Sequence, residues 1–244
     1  ARQGGKNELS SRLEILLLTL FADTGGDIVK CSRSFKPQSL ISIERLDKLL
    51  SAFGLEGLYG KVGGYTIEFG LARCVFLSAD LKSSVVGHTA SILLEVDEAQ
   101  DVDKDKFRKE FAPMASSTNA TMVFYGTTWD DFSLLEEVKQ SNLEAARKDG
   151  IQRHFSFDWH EVSKYNPAYG SFVESEQSRL GEEHPLFRTQ YRLLTVSDGG
   201  RLLSDSQRAL LHGSYPRLQA PESNKGVQQI VVGAGFKPAL NISP

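Results

Sequence analysis

Apolar positions along this chain switch between a helical and a strand period. The stretch "NELSSRLEILLLTLFADTGG" carries its hydrophobic residues at helical spacing and stops at the helix-ending pair Gly25-Gly26. A short apolar strand, "DIVKCS", follows. "KPQSLISIERLDKLLSAFG" is an amphipathic helix, with Pro37 suited to its first turn and Gly54 to its end. "YTIEFG" and "RCVFLSAD" are β-branched and aromatic runs around Gly70-Leu71-Ala72, which predicts a hairpin. "SILLEVDEAQ" is a strand that runs into acids at its carboxyl end, and "DKDKFRKEFAPM" reads as a helix. "ATMVFYGTT" is a strand, and "DDFSLLEEVKQSNLEAARKDG" is a long polar-faced helix closed by Gly150. "RHFSFDW" is a further expected strand. This alternation predicts an α/β fold, a mostly parallel sheet with helices on both faces.

From about Asn166 the pattern changes. Three short helices are expected, in "PAYGSFVESEQSRLG", "HPLFRTQYRLL" and "SDSQRALLHGSY". The final stretch gathers Gly, Pro and Ser around one apolar burst. The expected organisation is therefore an α/β domain over 1–165, a small helical linker region over 166–215 and a disordered tail over 216–244.

Length and charge narrow the function. At 244 residues the chain has room for one α/β domain and a smaller appendage. A net charge of −3 excludes a strong global field toward nucleic acid, so any DNA contact must come from a local patch or from assembly into a ring. The longest apolar run, Ile15 to Ala22, falls well short of the roughly 20 residues a membrane span needs, so no membrane is expected. Cys31 and Cys74 match no zinc or redox spacing and are read as buried thiols in a reducing cytosol. His154, His160 and His184 have no zinc spacing either, and are read as structural or solvated.

Three short elements carry candidate chemistry. Gly5-Lys6 ahead of a helix supply the end of a phosphate loop of the form G-x-x-x-x-G-K-[ST], with Asn7 at the Ser/Thr position. Backbone N–H groups at such a helix start hold phosphate oxygens, and the lysine meets the transferring phosphate. Taken alone, a Gly-Gly-Lys before a helix is more often only a flexible N-terminus. Secondly, the strand "ILLEVDEAQ" ends in Asp97-Glu98. A carboxylate there can hold Mg²⁺ and the next acid can activate water, although a solvated acidic turn would read the same way. Thirdly, "MVFYGTTWDD" places Gly126, Thr127 and Thr128 at the carboxyl edge of the sheet, where ligands bind in open α/β folds.

The ordered set resembles a known family, the ATPase domain of the large terminase subunit that packages DNA into tailed-phage heads. The resemblance rests on "ARQGGKNE", "IVKCSRSFKPQS", "LLEVDEAQD", "YGTTW" and the linker-like "NPAYGSFVESEQSRLGEEHPLFRTQYRLL", from residue 1 to about 213. It implies a P-loop NTPase fold and ATP with Mg²⁺ as cofactors. Nucleotide would be bound by Arg2, Gln3, Gly4, Gly5, Lys6 and Asn7, with Asp97 and Asn7 on the metal. Glu98 would activate water, and Arg2 would stabilise transferring charge. Gln3 and Gln38 are read as polar contacts only. Gly126, Thr127 and Thr128 match the family's coupling motif. The implied partners are double-stranded DNA, a portal protein, the small terminase subunit and further copies in a ring, in the cytoplasm of a bacterial host. Against the family's pattern, the strand before the loop and the nuclease domain are missing, so a chain truncated at both ends is expected. Two other readings stay open. One is a superfamily 2 helicase-like ATPase, since "DEAQ" resembles helicase motif II. The other is a remnant that keeps the fold and binds no nucleotide.

Overall fold

A computed structural model describes residues 4–85 and 87–196. Six strands form one sheet: β1 (Gly26–Ser32), β2 (Tyr59–Val62), β3 (Thr66–Phe69), β4 (Ala72–Ser78), β5 (Leu93–Asp97) and β6 (Thr121–Phe124). Their order is β2-β3-β4-β1-β5-β6. β1 lies between β4 and β5 and runs parallel to both, and β6 runs parallel to β5. β2, β3 and β4 form an antiparallel meander at the other side. The sheet is thus mostly parallel, as its α/β alternation predicts.

The helices are α1 (Lys6–Leu20), α2 (Leu40–Ala52), the single turn α3 (Lys104–Lys106), α4 (Leu134–Asp149), α5 (Trp159–Tyr165), α6 (Pro167–Leu180) and α7 (Pro185–Gln190). The twofold alternation of β1 divides the core between the two faces of the sheet. Ile28 points to one face, where it meets Ile15 and Leu18 of α1, Leu46 and Leu50 of α2, and Leu93 of β5. Val29 and Cys31 point to the other, against Leu94, Val96, Phe107, Phe111, Met114 and Leu134. A central strand buried on both faces needs apolar residues at nearly every position, which explains "DIVKCS" and "ILLEV". Both thiols are free and buried, and burial pushes each well above its ordinary pKa.

Caps fix the helix boundaries. Ser133 accepts from the Glu136 N–H, Asp158 from the Glu161 N–H and Asn166 from the Tyr169 N–H, each an N-cap of about 1 kcal/mol. Gly150 closes α4 at φ +75. The helical region begins earlier than its change of period suggests. Trp159 of α5 is buried with Val173 of α6 and Phe187 of α7, so α5 belongs with the helices that follow.

Two elements differ from expectation. "RHFSFDW" forms no strand: residues 151–158 have no regular structure, and Phe155 and Phe157 are exposed. Its alternation is right, but a strand needs a neighbour. Arg153 instead folds back on the end of α4, with two hydrogen bonds to the Asp149 carboxylate at 2.8 and 2.6 Å. The other is β2, a strand whose apolar signal is interrupted by Gly60 and Lys61. The helix expected in "SDSQRALLHGSY" and the tail over 216–244 lie outside the described residues.

The turn between β3 and β4 docks on the end of α1 through the Leu71 N–H, which donates to the Ala22 carbonyl at 2.7 Å. Gly70 there has φ +59, and a Cβ would approach the same carbonyl oxygen to 2.5 Å. Gly70→Ala is therefore expected to lower stability by about 1–3 kcal/mol, read as a lower urea midpoint with unchanged slope.

Candidate functional site

The parallel direction of β1, β5 and β6 brings their carboxyl ends together, and α1 begins at that edge. Gly5 caps α1 at φ +85, with open space where a Cβ would stand. A glycine cap offers no side-chain acceptor, so the first-turn N–H groups of α1 stay available at the cleft. Partial positive charge gathers there. The cleft has a volume of about 780 Å³, and Gly4, Gly5, Lys6 and Asn7 line one side. Asp97, Glu98 and Thr127 line it opposite, and Gln38 and Arg45 lie along its wall. Such a volume suits a small-molecule ligand.

Four residues form a closed circuit, three of its links between side chains and one through the Thr127 backbone. Lys6 Nζ donates to Thr127 Oγ1 at 3.0 Å and to Glu98 Oε1 at 3.3 Å. Gln100 Nε2 donates to the other oxygen of Glu98 at 2.6 Å, and Gln100 Oε1 accepts from the Thr127 N–H at 3.1 Å. Glu98 is left-handed at φ 49 and ψ 51, which turns the chain sharply out of β5. That turn separates the two acids. Asp97 stays in the sheet, 5% exposed, and accepts from the Glu98 N–H at 3.1 Å. Burial pushes the Asp97 carboxyl up; Lys30 draws it back, the Glu98 charge adds to the rise and Lys6 opposes it. Asp97 is thus a buried carboxylate that faces the cleft. Among the described residues no group of three or more His, Cys, Asp or Glu could hold a metal.

Eight of the residues singled out in the sequence meet at this cleft. Gly4, Gly5, Lys6, Asn7, Asp97, Glu98 and Thr127 line the cleft, as does Gln38. Gly126 sits just behind, where a Cβ would overlap Gln100 Oε1 and come within 2.6 Å of Leu135. Thr128 is half-buried and does not line the cleft. Arg2 and Gln3 lie outside the described residues.

Sequence reasoning missed Gln100, although "DEAQ" contains it. It also missed a buried polar layer beneath the cleft. Lys30, Glu14 and Glu95 are each at most 3% exposed, and Lys30 Nζ donates to Glu14 Oε1 at 2.7 Å. Burial, then the Glu14 charge, pushes the Glu95 carboxyl far up, against the pull of Lys30. The signal was present: one charge stands alone inside each of the apolar runs "LEILLL", "IVKC" and "ILLEV".

No family model and no curated protein matches the sequence. Solved structures do match. The large terminase of bacteriophage HK97 is similar with a TM-score of 0.60 at 18% identity, over 78% of this chain and 44% of that one. The large terminase ATPase domain of Thermus phage P74-26 gives 0.58 at 17% identity, over 80% of this chain and 86% of that domain. The large terminase of a thermophilic bacteriophage, in complex with ADP, gives 0.58 at 14% identity, over 80% of this chain and 46% of that one. The fold of this chain is therefore that of phage large terminase ATPase domains. The chain spans under half the length of the HK97 protein and of the ADP-bound one. No helix among the described residues is long and apolar enough to cross a membrane.

Gln100 ties Glu98 to Thr127, so its loss leaves both partners half-satisfied. Gln100→Leu is expected to lower stability by about 1–2 kcal/mol in chemical denaturation. An unchanged midpoint would remove Gln100 from the circuit.

Proposed function

We propose that this chain is an ATPase domain of the large-terminase kind, whose hydrolysis of ATP drives double-stranded DNA into a capsid. One observation supports this most. Lys6 behind a glycine cap meets both Glu98 and Thr127, residues 92 and 121 positions away, in a single cleft. The shared fold adds to it, and one of the similar terminases is a complex with ADP.

In this reading the first-turn N–H groups of α1 and the Lys6 ammonium hold the phosphates of ATP. Arg2, Gln3, Gly4 and Asn7 complete that loop, and Arg2 stabilises the transferring charge. Asp97, with Asn7 beside the lysine, holds Mg²⁺, which when bound neutralises phosphate charge. Phosphate at Lys6 competes with Glu98 for the ammonium, so one Glu98 oxygen becomes free to take the proton of the attacking water. Gln100 keeps hold of the other oxygen and thereby orients the base. Water adds to the terminal phosphorus as the bond to ADP breaks, giving ADP and phosphate. Thr127 loses its Lys6 contact in the same exchange, so Gly126, Thr127 and Thr128 sense the change and pass it on. The partners that follow are double-stranded DNA, a portal protein, a small terminase subunit and a ring of copies of this chain in a bacterial cytoplasm.

Thermal denaturation with ATP and Mg²⁺ tests the reading. At a hundred times the dissociation constant the wild type should gain about 2.7 kcal/mol, and Lys6→Ala should gain nothing. Equal curves with and without nucleotide, in a cooperatively folded sample, would sink the proposal and leave a terminase-shaped fold without its ligand. Glu98→Gln should keep the thermal gain while hydrolysing ATP at least about a hundredfold more slowly, measured as phosphate release.

A further inference from the structure

Beneath the cleft, on the sheet face covered by α1, lies a second hydrogen-bonded layer. Tyr125 donates its hydroxyl to Glu95 Oε1 at 2.9 Å. Ser10 Oγ lies 3.0 Å from Glu95 Oε1 and 3.0 Å from Glu14 Oε1. Lys30 Nζ donates to Ser10 Oγ at 2.6 Å and to Glu14 Oε1 at 2.7 Å. Three of its members, Ser10, Glu95 and Tyr125, stand one structural repeat from a cleft residue in the same stretch of chain. Ser10 follows Lys6 by one helical turn. Glu95 precedes Asp97 on the same face of β5, and Tyr125 precedes Thr127 by two residues.

We propose that Tyr125 and Glu95 are positioning residues of the cleft, which act through Ser10 to lock α1 against β5 and the segment carrying Thr127. Stability alone is a poor reason for such a layer. A buried ion cluster is often no more stable than apolar residues of the same volume. Here Glu14 and Glu95 bring two buried carboxyl groups together, and their repulsion is a cost that an apolar pair would not carry. Directional bonds do what an apolar contact cannot. An aliphatic interface would let α1 slide along β5 at little cost, whereas Ser10 on Glu95 fixes its height. That height sets the distance from Gly5 and Lys6 to Asp97 and Glu98. Tyr125 extends the same reference point to the third cleft element.

Hydrogen exchange read by mass spectrometry on the whole chain, without nucleotide, tests the lock. Tyr125→Phe should speed exchange about three- to tenfold in residues 6–14 as well as 121–128, although Tyr125 is on neither α1 nor β1. Residues 66–78 should not change. Glu95→Leu should behave like Tyr125→Phe, and Glu95→Gln, which keeps an acceptor oxygen, should stay within about twofold of the wild type. A change confined to 121–128, or an equal rise across 66–78, would overturn the proposal. A second arm rests on the nucleotide reading above. The affinity for ATP with Mg²⁺ should weaken about three- to tenfold in Tyr125→Phe and Glu95→Leu and be restored in Glu95→Gln. Equal affinity in all of them would reduce the layer to a structural one and overturn the positioning role. If the wild type binds no nucleotide, the nucleotide reading fails, and the exchange comparison still decides the lock.

Discussion

The parallel register of β1 and β5 is the constraint on which the rest depends. It sets Lys30 beside Glu95 and Ser32 beside Asp97. Side chains alternate between faces along a strand, so a slip of one residue would move Asp97 from the cleft into the opposite core. It would also carry Glu95 away from Ser10 and set it among Val29, Cys31 and the phenylalanines of the other face. Apolar residues at Ile28 and Leu93 on one face, and Val29 and Leu94 on the other, hold the register against that slip.

Helix α1 reads this register along its length. Its last inward residue, Leu18, meets apolar side chains; its middle, Ser10 and Glu14, meets the charges; its first turn opens on the cleft. The helix is therefore anchored at the end remote from the cleft by burial, and placed in height by hydrogen bonds nearer to it. Burial of a side chain such as Leu18 contributes about 2 kcal/mol without preferring one height over another. The polar layer is less favourable and more exacting. The two together explain why charges persist inside runs that would otherwise make a better hydrophobic core.

Much of this was legible in the sequence, and what was not has physical causes. The central strands declared themselves because burial on both faces forces apolar residues at most steps. The hairpin at Gly70, the stop at Gly150 and the acids at the end of β5 are local signals, and each falls where the turn chemistry places it. The cleft could be assembled in advance because its residues sit at element ends, and parallel strands share one edge. The segment 151–158 misled because alternation describes a strand's faces and says nothing of whether a neighbour exists. The role of Gln100 was hidden because a glutamine after two acids looks like any solvated turn; only its reach to Thr127, 27 residues on, distinguishes it. Lone charges in apolar runs were visible but had no partner until the sheet was built, since Glu14, Lys30 and Glu95 meet only across three elements.

The circuit of Lys6, Glu98, Gln100 and Thr127 has a consequence for selectivity. Each of its four side chains already has a protein partner, so a newcomer at Lys6 trades contacts rather than adding them. A singly charged anion gains from that trade little more than it displaces. A polyanion can take the lysine and the helix start together, and so come out ahead. In the nucleotide reading, discrimination by charge number would follow from the protein's own pairing, before any group on the ligand is recognised by shape.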